Sequence, residues 1–196
     1  MRIDRGERLT GETAAALTQY KAYAFSESGR SPYAPPGTPG VWAEITGNEH
    51  DEWGHVTVNP ANRVRMMQKR MEKMVHARDE LPRANHFGPA DAKVGILSYG
   101  STRGPVREAQ GLLLARDVPT RYLQPRTLYP VPVPEIDPFL QAVDVCYVVE
   151  HNYTGQFAHL LREAMPWHYQ KLRSITKYDG SNFRAPEIVA PILGGR

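Results

Sequence analysis

From Lys93 onward the chain alternates short apolar runs with amphipathic stretches, and no other feature limits the fold as much. Lys93 to Tyr99 (KVGILSY) reads as a buried strand and Thr102 to Arg116 as a helix with Val106, Ala109 and Leu113 on one face. Thr120 to Leu123 is a second strand, Glu135 to Ala142 a short helix, and Val143 to Val149 (VDVCYVV) a third strand. In Thr154 to Ala164 the residues Phe157, Leu160, Leu161 and Ala164 occupy the i, i+3, i+4 and i+7 positions of one helical face. Leu172 to Thr176 is a fourth strand, and Pro186 to Leu193 closes as a helical turn or two. Strands separated by helices predict the α/β class, a mostly parallel sheet with helices on both faces and right-handed crossovers.

Upstream the pattern is different. Thr10 to Tyr20 is a helical candidate with Leu9, Ala16, Leu17 and Tyr20 on one side. It runs into Ser31-Pro-Tyr-Ala-Pro-Pro-Gly-Thr-Pro-Gly40, whose four prolines exclude helix and central strand. A loop of that length is functional, mobile or packed against another chain or domain. Asn59-Pro60 then has the form of an N-cap followed by proline at the first helical position, opening a helix that ends near Leu81. Val64, Met67, Met71 and Met74 recur at spacings that predict a packing stripe. The organisation expected is an irregular proline-rich segment plus connecting helix over 1–92, and an α/β domain over 93–196.

Composition removes several functions. The lone cysteine, Cys146, excludes an intrachain disulfide and a cysteine-ligated iron–sulfur cluster held by this chain alone, since a cluster takes about four thiolates. A net charge of +3 is too small to imply nucleic acid. The seven Lys/Arg against three Asp/Glu in 60–83 read as a solvated helix face. No apolar run approaches the ~20 residues that a bilayer requires. The polar first fifteen residues do not resemble a secretory signal, so the expected compartment is the cytoplasm.

Ligands of open parallel sheets bind beyond the carboxyl ends of the strands. Two loops fall there, each leading into a helix: Gly100-Ser101-Thr102-Arg103-Gly104 and Glu150-His151-Asn152-Tyr153-Thr154-Gly155-Gln156. Helix-start amides beside hydroxyls suit a phosphate or carboxylate, which makes Ser101, Thr102, Asn152, Thr154 and Gln156 ligand candidates; the plainer reading is that Ser101, Thr102, Asn152 and Thr154 only cap their helices. Arg126, before a connector stiffened by Pro130, Pro132 and Pro134, is a further candidate for an anion, or else half of a structural salt bridge. Glu49-His50-Asp51-Glu52-Trp53-Gly54-His55 concentrates metal-ligand types, but its spacing fits no zinc pattern, and it reads as a polar loop anchored by Trp53. Cys146, among valines, reads as an inert buried thiol. No nucleophile motif is present, so no catalytic and no metal-binding residues are expected.

Taken in order, IDRG (3–6), SPYAPPGTPG (31–40), TGNEHDEWGH (46–55), NPANRVRMMQKRMEKM (59–74), YGSTRGPVREA (99–109), RTLYPVPV (126–133), VVEHNYTGQFAHLLR (148–162) and ITKYDG (175–180) resemble the alpha subunit of 2-oxoacid:ferredoxin oxidoreductases, in the 2-oxoglutarate branch. The resemblance is to the C-terminal portion of that subunit. It implies a transketolase C-terminal-domain-like fold over 93–196, and partners that comprise the subunit's thiamine-binding domain, the beta subunit and, through the complex, ferredoxin. It also implies thiamine diphosphate, magnesium and an iron–sulfur cluster in the full complex and none bound by this chain alone. The assembled family enzyme oxidatively decarboxylates a 2-oxoacid, forms an acyl-CoA and reduces ferredoxin; the isolated chain is not expected to be active. Tyr178-Asp179-Gly180 lacks the remainder of a magnesium–diphosphate motif. Ser31-Pro32-Tyr33 stands where the family usually reads SPR, so a fixed cation is lost there. The alternative is a stand-alone, non-catalytic module that binds an anionic small molecule such as coenzyme A through the two strand-end loops.

Overall fold

The computed structural model describes residues 7–195, so the IDRG segment at 3–6 lies outside the described residues. Two compact units divide between Glu80 and Leu81. The division falls upstream of the pattern change at Lys93 because a short strand, β1 (Asn85–Phe87), already belongs to the sheet of the second unit.

The second unit is α/β, as its alternation dictates. Its elements are β1, β2 (Val94–Ser98), α3 (Arg103–Leu114), β3 (Thr120–Gln124), α4 (Val133–Ala142), β4 (Val145–Glu150), α5 (Gln156–Ala164), β5 (Leu172–Thr176) and α6 (Ala185–Gly194); α1 and α2 belong to the first unit. The five strands lie in the order β1-β3-β2-β4-β5. All neighbours pair in parallel except β1, which runs antiparallel along the edge of β3. Every residue of β2 is buried, the mark of a strand covered on both sides. Its Ile96 points into a layer with Val106, Leu113, Tyr122 and Ile188 from α3, β3 and α6, and the next residue, Leu97, into a layer with Phe139, Val148, Phe157 and Leu161 from α4, β4 and α5. Gly95 allows the second layer to close. A Cβ there would lie 3.1 Å from the Phe139 ring and 3.2 Å from Val143.

The first unit is built differently. The helical candidate at Thr10 shortens to α1 (Gly11–Ala15), started by a Thr10–Thr13 capping box. From Ala16 the chain is irregular, and the proline loop is tied back by the Tyr20 hydroxyl, which donates to Pro32 O and accepts from Ala34 N–H. α2 (Pro60–His76) starts where the sequence predicts, with Asn59 Oδ1 accepting the amides of Ala61 and Asn62. The expected packing stripe does not pack. Val64, Met67 and Met71 are exposed, Met74 is only partly covered, and the buried side of α2 instead carries Met66 and Lys69. At 100° per residue these two faces lie on roughly opposite sides of the helix. Ala14 and Met66 are the only apolar side chains buried among the described residues of this unit. Polar clamps do the work of a core: the Glu49 carboxylate takes the guanidiniums of Arg63 and Arg70, and Glu52 accepts Phe25 N–H and pairs with Lys21.

Candidate functional site

The strand order creates a switch point that the sequence alone does not reveal. β2 leads through α3 to β3 on one side, while β4 adds on the other side, so the switch-point crevice, where open sheets of this class bind ligands, falls between the carboxyl ends of β2 and β4. The Ser101 and Asn152 loops flank that crevice, and the Arg126 loop follows β3, the next strand along. Topology therefore collects all three at one sheet edge. Tyr99 reaches from the first loop to the second: its ring meets Phe157 edge-on at 5.5 Å. Burial, and after it the charge of Glu150, push the Tyr99 phenol up.

The two loops differ in what fills them. At the end of β4 stands Glu150, wholly buried, with its carboxylate turned onto the first turn of α5. Oε2 accepts Phe157 N–H at 2.8 Å and the Asn152 Nδ2 amide at 2.6 Å, while Oε1 accepts Ala158 N–H at 3.1 Å. Asn152 Oδ1 takes the Gly155 and Gln156 amides at 2.7 and 3.0 Å. Gly155 makes the loop tight enough for this, with φ at 70° and a would-be Cβ 3.0 Å from Ser174 Oγ. The positive end of α5 thus faces an internal anion, and an external one would meet the Glu150 charge. Of the candidates here Asn152 caps, whereas Thr154 and Gln156 are exposed and their side chains make no hydrogen bond among the described residues.

At the end of β2 no carboxylate intervenes. Thr102 is buried and its hydroxyl donates to Tyr99 O at 2.6 Å, Ser101 is exposed, and no side chain caps the start of α3. A Cβ at Gly100 or Gly104 would meet nothing within 4 Å, so the backbone is open to approach. Arg126 is exposed and forms no ion pair among the described residues.

The acidic loop at Glu49 is structural. Glu49 clamps α2; Arg70 is the first cause that draws its carboxyl down to about 2 from an ordinary 4.5, with Arg63 adding to it. Asp51 Oδ1 accepts three consecutive amides, from Trp53, Gly54 and His55. Trp53 packs beneath the Lys21 ammonium, 5.0 Å from its ring centre. Among the described residues no group of three His, Cys, Asp or Glu side chains could hold a metal ion. Cys146 is buried in β4, where burial pushes its thiol up and disfavours the thiolate that a cluster requires. Among the described residues, therefore, none fits a metal or an iron–sulfur cluster. No helix among the described residues is long and apolar enough to cross a membrane.

Glu150 is the residue that periodicity misses, because an acid closing an apolar strand reads as the point where the chain meets water. The spacing from Glu150 through Asn152 to Gly155 was the available signal, an acid and an Asx residue just ahead of a helix start.

Residues 92–188 match the family model described as pyruvate:ferredoxin oxidoreductase core domain II. The chain is 37% identical over 163 residues to 2-oxoacid:ferredoxin oxidoreductase 2, subunit alpha, of Aeropyrum pernix, covering 82% of this chain and 24% of that one. It superposes over 99% of its length, at 32% identity and a TM-score of 0.75, on 33% of a chain of the 2-oxoglutarate:ferredoxin oxidoreductase of Magnetococcus marinus, a structure with 2-oxoglutarate, coenzyme A and succinyl-CoA bound. A split-gene transketolase shares the fold over 57% of this chain at 16% identity and a TM-score of 0.50. The chain thus spans about a quarter of the Aeropyrum pernix subunit and a third of the Magnetococcus marinus chain.

Proposed function

This chain belongs to the 2-oxoacid:ferredoxin oxidoreductase alpha-subunit family, and from that premise we propose that it is the C-terminal part of such a subunit, active only within the assembled enzyme. The observation that carries this reading is the inverted first unit. Apart from Ala14 and Met66 it buries no apolar side chain among its described residues, yet it turns outward Trp42 (73% exposed), Ile45 (82%), Val58 (97%) and the Val64, Met67, Met71 and Val75 face of α2. Apolar surface on this scale is the signature of an interface. The partners that fit it are the thiamine-binding domain of the alpha subunit and the beta subunit.

The reaction we assign to the whole assembly is oxidative decarboxylation of a 2-oxoacid, with the acyl group passed to coenzyme A and the electrons to ferredoxin in the cytoplasm. The name of the Magnetococcus marinus protein favours 2-oxoglutarate. Thiamine diphosphate with magnesium supplies the electron sink for decarboxylation, and an iron–sulfur cluster carries the electrons; the protein's part in such chemistry is binding and orientation. No residue of this chain is assigned a chemical step. Its contribution is to brace the thiamine-binding domains through α2 and its flanks. Of the strand-end candidates, the open start of α3 supports Ser101 as the contact for a ligand such as the phosphates of coenzyme A, with Thr102 holding the turn and Arg126 one strand away; Asn152 is assigned to the fold.

The test is native co-purification from the source cells, with partners identified by mass spectrometry. The chain should recover a thiamine-binding subunit and an iron–sulfur subunit in stoichiometric amounts, and the complex should reduce ferredoxin when given a 2-oxoacid. Met67→Glu with Met71→Glu should release those partners while the melting temperature of the free chain stays unchanged. Recovery of the chain alone, or equal recovery of partners by the variant, overturns the reading.

A further inference from the structure

We propose that the first unit carries an anion-binding site of its own, a cavity walled by basic residues of α2 and of the loop before it, suited to a phosphorylated small molecule. The cavity has a volume of about 870 Å³, within the usual range of small-ligand clefts. Its wall includes Arg8, Arg30, Lys69, Arg70 and Lys73, against Glu7 as the only carboxylate among the described residues.

Lys69 is the centre of the argument. The residue is only 8% exposed, and its ammonium donates to Tyr23 O at 2.7 Å and to Ser31 Oγ at 2.5 Å. Neither acceptor is charged, and no carboxylate among the described residues pairs with it. A buried cation in no ion pair is costly, since buried charges are normally paired, and a ligand of opposite charge would remove that cost. Its neighbours make the case stronger. Arg70 is neutralised by Glu49 and Arg30 by Glu80, whereas Lys73, one helical turn beyond Lys69, has no ion pair among the described residues. Burial is the largest influence lowering the Lys69 pKa, Lys73 and Arg70 add repulsion, and the Glu52 carboxylate offsets only part of it. A dianion in the cavity relieves that repulsion and takes the ammonium's third proton, which neither acceptor uses.

The class follows from the wall. Two lysines and adjoining guanidiniums suit the several oxygens of a phosphate, and Tyr23 and His50, tilted at 34° with ring centres 3.8 Å apart, add an aromatic surface for the rest of a ligand. The site lies wholly within the first unit.

The experiment is isothermal titration calorimetry on the full chain at physiological salt, with inorganic pyrophosphate and with succinate as the dicarboxylate of similar charge. Pyrophosphate should bind one to one, more tightly than succinate, and the affinity should fall about tenfold in Lys73→Glu and in Lys69→Met. Lys73 is exposed and makes no ion pair among the described residues, so K73E keeps the test decisive even where K69M loosens the loop that Lys69 ties down. No saturation by about 10 mM pyrophosphate, succinate binding as tightly, or unchanged affinity in K73E each overturns the proposal. The cation cluster would then be matched by acidic side chains of a protein partner, a result that leaves the assembly reading standing.

Discussion

Replacing Glu150 by glutamine tests whether the α5 loop is an internal salt of the fold or a vacant ligand cradle. The carboxylate accepts three hydrogen bonds in complete burial, from Phe157 N–H, Ala158 N–H and Asn152 Nδ2. An amide of the same shape has one acceptor oxygen. If that oxygen keeps Phe157 and Asn152, its NH2 group confronts the Ala158 amide, donor against donor. If it turns over, two partners are lost in place of one. The smaller loss leaves one buried amide unsatisfied, which costs about 1–3 kcal/mol, and weakens two charge-assisted bonds to neutral ones. The helix start also loses its facing charge, worth about 0.3–1 kcal/mol. Together these place the destabilisation of Glu150→Gln at about 2–4 kcal/mol, read as a lower urea midpoint at unchanged slope by far-ultraviolet circular dichroism. Because Asn152 bonds the same carboxylate, a double-mutant cycle with Asn152→Ala should show coupling of about 0.5–3 kcal/mol. A Glu150→Gln variant within about 0.5 kcal/mol of the parent, or strict additivity with Asn152→Ala, refutes the reasoning.

The same loop separates two neighbours that look alike in sequence. Asn152→Ala should cost about 0.5–2 kcal/mol because it removes the acceptor for two amides, whereas Thr154→Ala should lie within about 0.5 kcal/mol of the parent in the same urea experiment. The Glu49 clamp carries a pH signature. Its carboxyl is held at about 2 instead of 4.5, so its contribution is complete above pH 4.5 and is lost as the pH falls toward 2. Arg70→Gln should shrink the fall in melting temperature across that window, and a variant with the same acid profile as the parent would show that Arg70 does not hold Glu49 down.

What the sequence determined by itself was local and periodic. β2, α3, β3, α4, β4, α5, β5 and α6 fall within a few residues of where alternation and the 3.6-residue repeat place them, and Asn59-Pro60 marks the start of α2, because those signals come from each segment's own backbone and side chains. The ordered motifs likewise carried the family. Other features depended on neighbours distant in sequence. β1 has three residues and no apolar run; it exists only because the edge of β3 pairs with it. The order that sets the switch point between β2 and β4 is a matter of which crossover packs on which face. Glu150 is buried because α5 folds its amides back over it, seven and eight residues downstream. α2 shows the limit most clearly. Its apolar repeat correctly predicts a helix and a face that resists water, but in this chain the polar side is held down by Lys69 bonding across 46 residues to Tyr23 and by the Arg63 and Arg70 pairs with Glu49. Periodicity tells which residues of a helix share a face; only the tertiary contacts decide which face turns inward.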